Sequence, residues 1–211
     1  MYYQITMPSR NVLKQDAPDS YYHVYARGNS RRKIFVDEAD YKMFLKLLRR
    51  YLAAEEAKNA VGISYPNFYN KLELLCFCLM PNHLHLLLYQ HQQGAMTELM
   101  RSLLTSYSMY FNKKYKRSGS LFESRFKASR ISTDSYLEHI TRYIHLNPRE
   151  WRTYEYSSLQ YFLHQNHDTW IRPARVVENY SSGQEYIKFM EDYEENKNML
   201  DILKDELANE A

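Results

Sequence analysis

Residues 76–90 read CFCLMPNHLHLLLYQ. The run predicts two strands, 72–79 and 83–89, joined across Pro81-Asn82 as a hairpin or a bent continuation, because that dipeptide punctuates regular structure. Side chains alternate along a strand, so His83 and His85 project from one face while Leu84, Leu86 and Leu88 take the intervening positions. Two imidazoles on one rigid strand face can hold a divalent metal. The plain alternative is two ordinary histidines at the mouth of a buried strand, since H-x-H alone is a weak motif. Cys76 and Cys78 are the only cysteines. Placed two apart on one strand they are poor disulfide partners, and two thiols do not make a secreted framework. A reduced, buried pair in a cytoplasmic protein is the expectation.

Upstream, residues 21–27 (YYHVYAR) are β-branched and aromatic and predict a first strand, ended by Gly28-Asn29. Asp37 is placed to cap a helix. Tyr41, Phe44, Leu45, Leu48 and Leu52 recur at helical spacing and extend that helix over 38–57. Residues 58–70, with Gly62, Pro66 and Asn67, predict a loop. Downstream, a second helix begins at Met96 and carries Leu99, Leu103, Leu104, Tyr107, Met109, Tyr110 and Phe111 into a basic tract at 113–117. A turn at Ser118-Gly119-Ser120 precedes a fourth strand over 125–132. Strand, helix, strand, strand, helix, strand is the order of an α+β, ferredoxin-like (RRM-like) βαββαβ sandwich, with an antiparallel sheet, both helices on one face and the other face free for a ligand. Parity alone does not say which face carries the histidines.

Beyond this unit, Thr133-Asp134 predicts the cap of a helix with Leu137, Ile140, Tyr143 and Ile144, stopped at Asn147-Pro148 because the residue before proline is pushed out of the helical region. Tyr143 and Asn147 are four apart and share a face. A further helix is expected at 157–164 and a final one at 185–209. The division that follows is an N-terminal arm over 1–19, a main domain over 20–165 and a C-terminal helical extension over 166–211.

The 211 residues are 45% apolar and 25% charged, with 5 Gly, 6 Pro and as many as 21 Tyr. That is the composition of a globular chain without long linkers. The net charge of +3 is unevenly spread. Residues 101–152 hold eleven lysines and arginines against four acidic residues, whereas from Glu178 onward ten acidic residues face three lysines. A basic, aromatic-rich middle points to a polyanionic partner, nucleic acid above all. The expected phosphate contacts are Arg27, Asn29, Arg31 and Arg32 by the first strand's end; Lys113, Lys114, Lys116 and Arg117 closing the second helix; and Arg125 and Lys127 entering the fourth strand. The acidic end is expected to pack against, or compete for, part of that basic surface; the alternative is a solvated acidic helix. The N-terminus lacks an apolar signal core and no apolar run approaches a membrane span, so no membrane partner is expected.

Four blocks, in this order, resemble the single-tyrosine HUH transposase superfamily, and within it the REP-associated tyrosine transposase branch. They are Tyr22-His23-Val24 through Arg27-Gly28-Asn29; Leu79-Met80-Pro81-Asn82-His83-Leu84-His85-Leu86-Leu87; Gly119-Ser120-Leu121-Phe122-Glu123-Ser124-Arg125-Phe126-Lys127; and Tyr143-Ile144-His145-Leu146-Asn147-Pro148. The joint occurrence of LMPNHLHLL and YIHLNP, about sixty residues apart, is far more specific than either histidine. The resemblance implies that His83 and His85 hold a divalent metal, Mg2+ or Mn2+, that Asn147 supplies a third ligand, and that Tyr143 is the nucleophile. Single-stranded or hairpin DNA is the implied partner, with a monomer or homodimer acting on it. The chain departs from the pattern in the 58–70 insertion, in Glu123 and Ser124 where Gln and Gly are usual, and in Arg149-Glu150-Trp151.

The chemistry also follows from the residue types. A tyrosine, with an ordinary pKa near ~10, is a weak nucleophile at neutral pH until activated. A metal on His83 and His85 would act as a Lewis acid on a phosphodiester. Attack by the phenolate would give a 5′-phosphotyrosine and a free 3′-OH, conserving the bond for strand transfer. Two other readings compete. One is a non-catalytic module binding single-stranded nucleic acid by aromatic stacking on an open sheet. The other is a zinc hydrolase, which would want further His, Asp or Cys ligands near His85. Plain packing is expected for His23, His139 and His145.

Overall fold

The computed structural model describes residues 16–131, 134–163 and 168–192. In chain order the elements are β1 (Ser20–Arg27), α1 (Glu38–Leu52), β2 (Leu72–Met80), β3 (His83–Gln90), α2 (Ala95–Lys114), β4 (Lys127–Ile131), α3 (Asp134–His145), α4 (Leu159–Leu163), α5 (Ala174–Val177) and α6 (Gly183–Glu191). The strands form one antiparallel sheet in the order β2-β3-β1-β4, the ferredoxin-like arrangement that the alternation of elements predicts.

Leu84, Leu86 and Leu88 of β3 and Tyr22, Val24 and Ala26 of β1 face α1 and α2 in the main core. His83, His85, His23 and Tyr25 therefore lie on the other face. In β2 a bulge between Leu74 and Cys76 inverts the parity. Leu72, Leu74, Phe77 and Leu79 join the main core, while Leu75, Cys76 and Cys78 turn to the opposite side. The bulge is thus what brings both thiols to the histidine face.

That face is not open, contrary to the expectation of a bare sheet. Leu137, Ile140 and Ile144 of α3, with Leu159, Phe162, Val176, Tyr186 and Met190 from α4–α6, form a second core against Leu75, Cys76, Cys78 and Leu87. The physical reason is the apolar stripe of α3, whose three buried aliphatics contribute about 1.5–3 kcal/mol each only if the helix lies on an apolar surface. The outer edge of β2 is covered too. Residues 156–158 run beside it, with Leu79 N donating to Tyr156 O and Ser158 N to Phe77 O, each at 2.9 Å, and the Arg172 guanidinium donates to Leu72 O. An edge so occupied cannot template pairing with another chain.

Asp37 caps α1 in a reciprocal capping box with Asp40. The helix ends at Leu52, short of the 57 that its composition predicts. Phe68 N takes the carbonyl of Tyr51 and the Asn67 amide takes that of Ala53, each at 2.8 Å. Seating Phe68 in the core outweighs the helical propensity of Ala53–Ala57, a tertiary override of a weak local preference. The fourth strand runs 127–131, starting two residues later than predicted. α5 falls in a stretch where no helix was predicted. The cap at Thr133, the end of the 157–164 helix and the acidic helix beyond 192 lie outside the described residues. No helix among the described residues is long and apolar enough to cross a membrane.

Candidate active site

His83 and His85 open β3 and pair across the sheet with Arg27 and Tyr25 of β1. The register sets a guanidinium beside one imidazole and an aromatic ring beside the other. The hairpin that delivers them is held by backbone hydrogen bonds: Gly28 N donates to Asn82 O (2.8 Å), and Ile34 N and Phe35 N both donate to Pro81 O (2.7 and 3.0 Å). Gly28 is needed at this crossing because a Cβ there would stand 2.2 Å from the backbone oxygen of Arg32. Asn29 N in turn donates to Leu121 O and Glu123 N to Arg27 O (both 2.9 Å), so the first and third blocks of the sequence pattern are stitched together at this end of the sheet.

α3 brings Tyr143 over the pair. Its ring centroid is 5.4 Å from that of His85, edge to face, and 6.0 Å from that of His23. Just past the helix end, Asn147 Oδ1 lies 3.1 Å from His83 Nε2 and Asn147 Nδ2 lies 3.5 Å from His85 Nε2. The remaining ring nitrogens are also engaged: His83 Nδ1 with Asn82 Oδ1 at 2.7 Å, and His85 Nδ1 with His23 Nε2 at 2.9 Å.

Burial controls the protonation of the cluster. Desolvation lowers His83 to about 4, with the Arg27 charge pushing the same way against a hydrogen bond to the Asn147 amide oxygen. It also holds His85 well below its ordinary value and His23 at about 4. All three are therefore neutral at pH 7, the form a metal ligand requires. The donor set of two imidazole nitrogens and an amide oxygen fits a small divalent cation. Among the described residues no group of three or more His, Cys, Asp or Glu is arranged to hold a metal, so the constellation a zinc hydrolase would need is not present there. Burial raises the Tyr143 phenol to about 12, against the opposing pull of Asn147 and Arg27.

The other residues named from sequence divide. Arg27 stands at the site, and Lys127 lies on the same sheet face, paired in register with Tyr25 and 5.7 Å from its ring. Asn29, Arg31 and Arg32 form the turn after β1, in which Ser30 and Arg31 have left-handed backbone (φ 53° and 56°). Arg31, Lys113, Lys116 and Arg125 are exposed and Arg117 is half-buried. Lys114 is ion-paired, its ammonium 2.6 Å from Asp37 and 2.7 Å from the buried Asp40, so its charge is already matched. His139 bonds Arg142 beneath Phe189 and His145 is sealed against Ser158 and Tyr186, both as plain packing predicts. His23 departs from that expectation by touching His85. Its sequence signal was its place in the Tyr22-His23-Val24 block; the pairing that makes the contact is a long-range one.

A ferredoxin-like sheet with paired histidines facing a tyrosine on a covering helix defines the architecture. The family model described as Transposase IS200 like matches residues 16–147, well over half of the chain, and the chain belongs to that family. Two solved structures are similar. One is a REP-associated tyrosine transposase bound to a REP hairpin, at 13% identity, TM-score 0.48, with 69% of this chain and 80% of that one covered. The other is a candidate transposase from Deinococcus radiodurans R1, at 19% identity, TM-score 0.39, with 63% and 93% covered. No curated protein matches the chain.

Proposed function

We propose that this transposase cleaves and transfers single-stranded DNA, in a hairpin or repeat context, through a covalent 5′-phosphotyrosine on Tyr143. The observation that carries the proposal is the convergence of Tyr143, His83, His85 and Asn147 at one end of the sheet, with Arg27 beside them. Tyr143 Oη attacks the scissile phosphorus and the bond to the 3′ oxygen breaks. The phenolic proton is lost and the departing oxygen gains one, leaving a free 3′-OH and the 5′ phosphate on the enzyme. Attack by another 3′-OH reverses the step and joins a new strand.

With the phenol at about 12, roughly one site in 10^5 holds phenolate at pH 7. The resting tyrosine is therefore a weak nucleophile, and positive charge at the site must stabilise its phenolate. Arg27 supplies one such charge, and its field already acts on Tyr143 in the activating direction. His83, His85 and Asn147 would hold Mg2+ or Mn2+, which when bound supplies Lewis acidity at the phosphate. Arg31, Arg125 and Lys127 would grip flanking phosphates, the sequence-independent part of the affinity. The proposal has Tyr143 act on a phosphate held by its own chain's histidines, and the grouping of all four residues in one chain supports it.

The competing reading, a passive module that stacks bases on an open sheet, lacks its surface: α3–α6 cover that face and Tyr25 is only 5% exposed. The test is cleavage of a single-stranded hairpin in Mg2+ or Mn2+. His83→Ala and His85→Ala should abolish it, and Asn147→Ala should weaken it less, since water or phosphate can replace one neutral ligand. Wild-type rates in either histidine variant would disprove the assignment.

A further inference from the structure

We infer that His23 is a positioning residue for the metal site, fixing the tautomer of His85 so that its Nε2 lone pair faces inward. The inference rests on the ligand roles proposed above for His83 and His85.

A ligating imidazole offers the lone pair of one nitrogen and must carry its proton on the other, where an acceptor is needed to hold the ring. For His83 that acceptor is the Asn82 amide oxygen, 2.7 Å from Nδ1, with Nε2 turned toward Asn147. His85 is oriented the same way, its Nε2 toward Asn147, but its Nδ1 meets His23 Nε2 at 2.9 Å instead of an amide oxygen. With the proton on His85 Nδ1, His23 Nε2 must accept, which places the proton of His23 on its Nδ1. The opposite arrangement, His23 Nε2–H donating to His85 Nδ1, would put the His85 proton on Nε2 and remove its lone pair from the site.

The contact is built to persist. His23 is 2% and His85 3% exposed, so water does not compete for the bond. Their rings are stacked at 5.1 Å and 17°, and His23 is further braced by Tyr25 at 5.8 Å and by the edge of Tyr143 at 6.0 Å. Parity alone would place any side chain at 23 on this face. A plain packing role would be filled better by an apolar residue, because a buried imidazole demands partners.

Two-bond 1H–15N spectra of the metal-free protein report the His85 tautomer directly. The expectation is Nδ1–H for His85 in the wild type; a predominant Nε2–H form overturns the proposal without recourse to any variant. Mn2+ binding followed by electron paramagnetic resonance then separates positioning from folding. His23→Leu should lower Mn2+ affinity by about 10–100-fold, the usual cost of losing a hydrogen-bond partner behind a ligand. His23→Gln, whose amide oxygen reaches the position of Nε2, should restore most of it. Affinity in His23→Leu equal to wild type, or no rescue by His23→Gln with both variants melting as wild type does, overturns the role. Failure of the ligand assignment looks different: Mn2+ affinity unaffected by His83→Ala would remove the site itself and the positioning role with it.

Discussion

Lowering the pH from 7 to 5 should cost the metal-free protein several kcal/mol of stability. His23, His83 and His145 are neutral and buried, with pKa values lowered to about 4, about 4 and about 3. In the unfolded chain each returns to about 6.5. A depressed folded value means that the unfolded state binds more protons below 6.5. Stability is therefore full above that pH, declines as pH falls through the window from 6.5 to 4, and levels off only below the folded values. At pH 5 each group contributes a loss of about 2 kcal/mol, or about 6 kcal/mol for the three, and His85, shifted in the same direction, adds to it. Against a typical domain stability of about 5–15 kcal/mol, this should bring the chain near its unfolding transition. Urea titrations followed by circular dichroism at pH 7 and pH 5 measure the difference. A change below about 1 kcal/mol would refute the claim that these imidazoles are held neutral by burial.

Two further substitutions separate structural from DNA-binding roles. Lys114→Met should lower stability by about 1–3 kcal/mol, because it strips the buried Asp40 carboxylate of its cation while Tyr110, Tyr115 and Val36 N still bond it. The salt dependence of DNA binding should stay as in wild type, whereas an unchanged melting temperature with a shallower salt slope would reverse that assignment. Gly28→Ala should destabilise the junction of β1, the Pro81-Asn82 turn and the 118–126 loop, since its Cβ would collide with a backbone oxygen; a melt like that of the wild type would show that the turn can move aside.

The strand and helix order was legible because its signals are local: alternation in 83–89, helical spacing in 41–52, the Asp37 cap, and the stop at Asn147-Pro148. The metal-ligand candidates and Tyr143 were legible through the joint sequence blocks, and the structure brings them together. What the sequence did not reveal depends on long-range pairing. The face that carries the histidines follows from which side of β1 and β3 packs on α1 and α2, and the bulge at Leu74/Cys76 that turns the thiols to the same face is announced by no spacing. The contact of His23 with His85 spans 62 residues. Lys114 looked like one member of a basic run, yet the folded chain turns it onto Asp37 and Asp40. Covering of the second face depends on where α3 docks, and an amphipathic pattern records that a helix has an apolar side without naming what it meets.

The central claim is that Tyr143 is the nucleophile, and the most direct measurement is the chemistry of the covalent adduct. Wild-type protein should be incubated with a single-stranded hairpin and Mn2+, stopped in denaturant, digested and examined by mass spectrometry. The account predicts a DNA fragment joined through its 5′ phosphate to the peptide containing Tyr143, an extendable 3′-OH on the other fragment, and no adduct in Tyr143→Phe despite retained metal and DNA binding. Attachment to another tyrosine such as Tyr136 or Tyr154, a 3′-phosphotyrosine, or tight binding with no adduct under any metal would contradict it.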